Sequence, residues 1–313
     1  MPQVFAHEPV MVDEVVASFA PAPPGLVVDA TVGGGGHAEA ILAALPHLRV
    51  LGLDRDPDAV AAASRRLAAF GARAVVRHAR FDQLVELAAE AGAPGGTVSG
   101  VLFDLGVSSP QLDRAGRGFS YRADAPLDMR MDPSEGPTAA DVVNTAPEDE
   151  LAQLFAANGE GRFARRIARA IVAARPLRTT GELAEVVRGA IPAPARRTGG
   201  HPARRVFQAL RVTVNEELDQ LAHAVPAAIE ALAPGGRCVA ISYHSGEDRI
   251  VKAAFGAAAT GGCECPPGLP CACGAVPLGR LVFRGARKPT GSEVGRNRRA
   301  ESARLRVFER AGR

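Results

Sequence analysis

Three aspartates, a run of four glycines and a Ser-Ser-Pro-Gln turn carry the chemistry in this sequence. Asp29 precedes the glycines at 33–36 in VVDATVGGGGHAEAIL, Asp54 closes the apolar run LGLD, and Asp104 closes VLFD and opens DLGVSSPQ. Glycines accept positive φ and let a backbone approach a ligand with no Cβ in the way. The helix behind them, beginning near His37, presents unpaired N–H groups to the same ligand. The glycine spacing alone does not choose that ligand, because Gly33, Gly35 and Ala38 also fit the G-x-G-x-x-A dinucleotide fingerprint. Charge does: three carboxylates at the ends of successive strands repel a pyrophosphate and suit a ligand that is cationic and carries hydroxyls. Each aspartate taken alone could cap a turn; all three at strand ends form a pattern.

S-adenosylmethionine, with its sulfonium, ammonium and ribose diol, is such a ligand. Asp29 ahead of the glycines, with Asp54 placed for the ribose hydroxyls, is the arrangement of a class I methyltransferase. The elements that must position these groups follow from the apolar periodicity. Residues 26–28, 50–53, 74–76 and 101–103 read as short buried strands. Between them, Ala38, Ile41, Leu42 and Leu45 make one helical stripe, and Asp56 with Pro57 starts a helix reaching Phe70. Such alternation builds a Rossmann-like, doubly wound α/β sheet. An amphipathic helix from Val12 to Phe19 precedes it and could close over the ligand. From 111 to about 203 no strand is evident, and strand logic returns at 237–242 after a long helix expected over 203–223. The expected division is a methyltransferase core over 1–110, an inserted helical substrate-recognition domain over 111–203, and the rest of the core over 204–313 with a basic tail.

With 313 residues, 47% of them hydrophobic, the chain can bury a large core. No apolar run approaches the roughly twenty residues of a membrane span, and the first residues lack the layout of a signal peptide, so a cytoplasmic enzyme with no membrane partner is expected. A net charge of +3 is too small to argue for nucleic acid by itself. Local clusters do more: Arg296, Arg298 and Arg299 near the end, and Arg165, Arg166, Arg169, Arg204, Arg205 and Arg211 in the helical stretch, could contact phosphates or merely face solvent.

The stretches DATVGGGGHAEAIL, LGLDRDPDAV, FDLGVSSPQLD, RGFSYR, PLDMRMD, FARRIARAI, FQALRVTVNEEL, APGGRCVAISYHSGEDRIVK and NRRAESARLRVFER occur in order over almost the whole chain. Together they resemble the bacterial ribosomal RNA small-subunit methyltransferase H family. The resemblance implies transfer of a methyl group from S-adenosylmethionine to N4 of a cytosine in the decoding region of 16S rRNA, with the small ribosomal subunit as partner; a homodimer is compatible with it. By the same resemblance Gly35, Gly36, His37, Asp54, Phe81, Asp104 and Gln111 match cofactor-contacting positions, and Asp29 joins them on the charge argument. The family more often has Phe and Leu where this chain has Tyr243 and Gly246. Two other functions would use the same motifs: an NAD-dependent oxidoreductase, which Asp29 opposes, and a non-catalytic assembly factor holding the cofactor as a structural ligand.

The exocyclic amine of cytosine is conjugated with its ring and is a poor nucleophile. Its methylation needs in-line approach to the donor carbon and acceptors for its N–H protons. Asp104 can be one acceptor or can serve the cofactor alone; Ser108, Ser109 and the carbonyls near Pro110 are others. A C5-cytosine mechanism needs a nucleophilic cysteine near this loop, and none lies between Asp104 and Tyr121. Tyr243, at the end of a late strand, is a candidate for stacking on the base, a contact worth roughly 1–3 kcal/mol. His244 either orients the base or bonds a neighbouring loop, and Phe119 and Tyr121 either face RNA or, the favoured reading, pack the inserted domain. Cys263, Cys265, Cys271 and Cys273 form C-x-C-x5-C-x-C in a Pro/Gly-rich loop; four thiolates could hold zinc, although the spacing is tighter than the common C-x2-C knuckle. A disulfide set does not suit a reducing cytoplasm, so the expectation is a lineage-specific loop open to a structural metal, with no metal ligands assigned.

Overall fold

The computed structural model describes residues 9–195, 201–266 and 272–312, apart from the side chain of Ser109. It divides into two units, Met1–Gly106 with Leu218–Arg313, and Val107–Glu217.

The first unit is a seven-stranded sheet in the order β3-β2-β1-β4-β5-β7-β6. Its strands are β1 (Gly25–Asp29), β2 (Leu48–Asp54), β3 (Ala74–His78), β4 (Val98–Asp104), β5 (Leu232–Ser242), β6 (Gly279–Leu281) and β7 (Arg304–Arg310). The first five run parallel, whereas β7 lies antiparallel to β5 and β6 antiparallel to β7. This is the expected doubly wound sheet. Its strand order reverses between β1 and β4, and in such sheets the crevice beyond the carboxyl ends at the reversal is where ligands bind. Asp29, Asp54 and Asp104 are the last residues of β1, β2 and β4, so one sheet edge carries all three carboxylates.

Helices cover both faces, which is why these strands read as continuous apolar runs rather than alternating ones. On one face lie α1 (Val12–Phe19), α2 (Gly36–Ala44) and α3 (Pro57–Leu67). The other face packs α4 (Leu84–Glu90), α11 (Glu217–Ala231) and α12 (Ser245–Thr260). The first helix is not the expected lid. Met11, Val15 and Phe19 are fully buried, and a Cβ on Gly100 of β4 would stand 2.4 Å from the Phe19 ring, so α1 is a piece of the core. Two ion pairs anchor the antiparallel edge: Arg237 of β5 donates to Glu309 of β7 at 2.9 Å, and Arg306 of β7 donates to both oxygens of Asp248 of α12 at 2.8 and 3.0 Å. Among the described residues, no helix is long and apolar enough to cross a membrane.

The second unit is helical: α5 (Ser109–Asp113), α6 (Ala139–Thr145), α7 (Glu148–Ala157), α8 (Ala164–Ala173), α9 (Thr180–Ala190) and α10 (Arg204–Val214) around one apolar cluster. Its only pairing of extended backbone among the described residues is a single bridge, Pro126 to Thr179. Its boundaries differ from 111 and 203. Val206, Phe207 and Leu210 of α10 are buried in this cluster, so the helix expected to belong to the returning core belongs to the insertion. The helix expected over 203–223 is two, interrupted where Glu216 takes φ 51. At that break the buried Asn215 accepts Met131 N–H at 2.8 Å and donates to the Met129 carbonyl at 2.8 Å, tying α10 to the DMRMD loop.

Candidate active site

The glycine turn between β1 and α2 is held mostly by its own protein neighbours. Gly33 (φ 52) and Gly35 (φ 81) occupy left-handed conformations that L side chains adopt at a cost of about 1–2 kcal/mol. Gly36 is small for a different reason, since a Cβ there would lie 2.8 Å from Pro9 Cγ. Gly52 of β2 makes room for the turn from below: its Cβ would meet Val32 Cγ2 at 2.7 Å. The positive φ expected of this run is present at Gly33 and Gly35, whereas Gly36 and Gly52 are small because protein neighbours crowd them.

The three carboxylates differ in environment. Asp54 accepts Gly33 N–H at 2.9 Å through Oδ2 and Asp56 N–H at 2.8 Å through Oδ1, which fixes it against the turn. Burial nevertheless pushes its carboxyl up to about 6, against the pull of those two N–H groups. Asp29 is 1% exposed, beneath the turn. Its Oδ1 accepts only a long bond from Thr31 N–H, 3.4 Å, and its Oδ2 has no hydrogen-bond partner among the described residues. Burial raises this carboxyl to about 7; His37 opposes the rise, while Asp104 and Asp54 add to it. Thr31, absent from the sequence-based set, joins the two central strand ends because its hydroxyl accepts Asp104 N–H at 2.7 Å.

Asp104 sits between a histidine and a tyrosine. Tyr243, which follows β5, donates its hydroxyl to Asp104 Oδ1 at 2.8 Å, and His37 Nδ1 lies 3.5 Å from Oδ2. The other nitrogen of His37, Nε2, faces the Val10 carbonyl at 2.8 Å; a carbonyl only accepts, so Nε2 carries the proton. Burial and the Asp104 charge raise the Tyr243 phenol well above its ordinary range, which keeps it a donor. Below it, Glu247 of α12 accepts Tyr243 N–H at 2.7 Å and His244 N–H at 3.2 Å, while His244 Nδ1 caps that helix by accepting Gly246 N–H at 3.2 Å. His244 thus caps its own helix rather than bonding a neighbouring loop. Phe81 turns its ring edge onto Phe103 of β4, centroids 5.9 Å apart, and provides apolar surface next to β4.

An orphaned buried carboxylate oxygen and three carboxylates grouped around a glycine turn are the features of a site for a cation that also bears hydroxyls. The residues fit a sulfonium ligand. The sequence pattern of the MraW methylase family matches residues 4–311. The chain belongs to that family. A protein of Heliobacterium modesticaldum named ribosomal RNA small subunit methyltransferase H is 51% identical over 312 residues, covering 98% of this chain and 99% of that one. Its namesake in Thermobifida fusca is 53% identical over 317 residues, covering 97% and 93%. Among solved structures, an rRNA methylase from Streptococcus thermophilus overlays 96% of this chain and 93% of that one at 11% identity, with a TM-score of 0.41.

The remaining candidates of this MraW-family chain lie past the unit boundary at Gly106, in α5. Gln111 is buried and its Oε1 accepts Ser108 N–H at 2.9 Å, so this oxygen caps the helix. Ser108 is the residue capped, Pro110 fills the first turn where its missing N–H costs nothing, and the Ser109 side chain lies outside the described residues. Tyr121 stacks on His201 at 4.2 Å with its edge to Phe207, and Phe119 is buried, so both pack their own unit as expected. The basic set divides. Arg165, Arg166 and Arg169 are exposed along one side of α8, and Arg296, Arg298 and Arg299 are exposed near the end of the chain. Arg211 instead makes a two-pronged pair with Glu217 at 2.7 and 2.9 Å, both largely buried, and Arg205 lies 3.5 Å from Glu160, which removes Arg211 from any surface for RNA.

Proposed function

We propose that this chain is an S-adenosylmethionine-dependent methyltransferase acting in the cytoplasm on N4 of a cytosine in the RNA of the small ribosomal subunit. What carries the reading is the row of Asp29, Asp54 and Asp104 around the glycine turn at the reversal of strand order; the names of its full-length relatives support the RNA substrate. When bound, the cofactor supplies an electrophilic methyl group on a sulfonium. Asp54, already oriented by Gly33 and Asp56, is suited to the ribose hydroxyls. Asp29, buried beneath the turn, acts through its charge, which ionises when a cation is bound above it.

For the transfer, Asp104 offers Oδ2 to an N–H of the target amine, which draws electron density back to nitrogen. Tyr243 holds the carboxylate in place through Oδ1, and His37 Nδ1 lies 3.5 Å from Oδ2 on its other side. Tyr243, committed to Asp104, is in this reading a positioning residue rather than a base-stacking one. The exposed arginines of α8 and those at 296, 298 and 299 supply phosphate contacts, and the helical unit selects the substrate. The test is incubation of unmethylated small subunits with isotopically labelled methyl donor, followed by nucleoside mass spectrometry. Label in N4-methylcytidine with matching S-adenosylhomocysteine is the expected result; S-adenosylmethionine binding with no transfer to subunits or their naked RNA would leave only the assembly-factor function.

A further inference from the structure

The loop between α12 and β6 holds three cysteines that the methyltransferase chemistry does not use. We propose that Cys263, Cys265 and Cys273 bind a structural zinc ion. Their three sulfurs lie within 4.8 Å of one another, and among the described residues no other group of histidine, cysteine or carboxylate side chains converges in this way. The Sγ atoms of Cys263 and Cys273 are 3.6 Å apart. Zn–S bonds of about 2.3 Å in a tetrahedron place two sulfurs about 3.8 Å apart, whereas a disulfide needs about 2.05 Å. Cys265 Sγ accepts Ala272 N–H at 3.4 Å, the kind of backbone support that thiolate ligands receive. A further donor completes four-coordination; Cys271, the remaining cysteine of the run, lies outside the described residues.

The loop has a need for such a crosslink. None of its described residues from 261 to 277 is buried, and Val276 is 75% exposed; only Leu278 at its end packs against the core. Its ends are nonetheless brought together. Gly261 takes φ 65 with no space for a Cβ against the Val276 backbone, and Leu278 N–H bonds the Ala258 carbonyl at 2.9 Å. A metal bound at 263, 265 and 273 fixes the path between those ends, as metals do in small segments without a core. The group is thiophilic and divalent by its donors: thiolate sulfur selects zinc over magnesium or calcium.

Full-length protein purified under reduction, incubated with zinc and freed of excess, is assayed for metal by mass spectrometry and for reactive thiols. One zinc per chain is expected, released as a mercurial titrates the thiols, and replaceable by cobalt with a near-ultraviolet thiolate charge-transfer band. The double variant Cys263→Ser/Cys273→Ser should lose the metal and keep cofactor binding. Should that variant not fold, the unmodified protein still decides: chelation should speed proteolytic cleavage within 261–278 by about ten-fold without altering cofactor affinity. Absence of bound zinc, zinc retained by a folded double variant, cleavage indifferent to chelation, or a Cys263–Cys273 disulfide in anaerobically quenched protein would each overturn the proposal.

Discussion

Cofactor binding should take up the charge of Asp29 and Asp54, which makes it pH-dependent in a calculable way. In the free protein burial sets these carboxyls at about 7 and about 6. A bound sulfonium and ammonium favour the ionised forms, so both values fall on binding and protons are released. The sign follows: affinity is full above the free-protein values and declines as pH drops through them. The fraction of molecules with both groups ionised is about 45% at pH 7 and about 5% at pH 6, so affinity should weaken about ten-fold over that unit. Proton release should be about 0.6 per binding event at pH 7 and about 1.4 at pH 6. Below pH 7 the amino group of the ligand, with a value near 8, stays protonated and does not contribute. Asp29→Asn leaves Asp54 alone to titrate and should reduce the pH effect to about two-fold. The assay is calorimetry in buffers of different ionisation enthalpy. Affinity independent of pH between 6 and 7, or Asp29→Asn titrating as the parent does, would refute the assignment of these protons. His37 and Asp104 face Asp29 as well, so the same titration in His37→Gln separates their field from its own.

Asp29→Asn should also stabilise the cofactor-free protein at pH 8. A carboxyl raised from 3.8 to about 7 contributes stability that is fully present below 3.8 and lost as pH rises through 7, a loss on the order of 2–4 kcal/mol that a neutral side chain avoids; thermal melts that move downward at pH 8 count against it. Asp104→Asn should lower turnover more than cofactor affinity, and Tyr243→Phe, which removes the donor to Oδ1, should lower turnover by roughly ten- to a hundred-fold, from the roughly 1.5–3 kcal/mol of one hydrogen bond to a charged group; equal losses in turnover and affinity would make Asp104 a cofactor residue only. Gly52→Ala should push Val32 and the glycine turn away, lowering the melting temperature and weakening cofactor binding together, and unchanged affinity would show that the turn absorbs the methyl group. Replacing 107–217 by a Gly/Ser linker should leave a folded protein that binds the cofactor and no longer methylates subunits. An excision ending at Pro202 should instead aggregate, because Val206, Phe207 and Leu210 of α10 lose their core, and light scattering of the two truncations checks this.

The sequence determined which carboxylates stand at the sheet edge. Asp29, Asp54 and Asp104 each end a run of apolar residues, and in a parallel sheet covered on both faces such runs can only be central strands with their last residues at one edge. The glycine run and the helix behind it were legible for the same local reason: positive φ and a helix start are encoded within a few residues. The absence of alternation after 111 likewise announced the insertion. Tertiary structure decided what each of these groups does next. Whether an amphipathic helix covers a core or a ligand depends on what lies under it, and the Phe19 ring against Gly100 settles that for α1. Both ends of the insertion moved, because the apolar stripe of α10 is the same whichever core it joins and only Asn215 with the left-handed Glu216 marks the break. Tyr243 reaches Asp104 across 139 positions, and His37 reaches it across 67. Pairings of this kind leave no trace in spacing, since they are set by which strand ends lie side by side and not by distance along the chain.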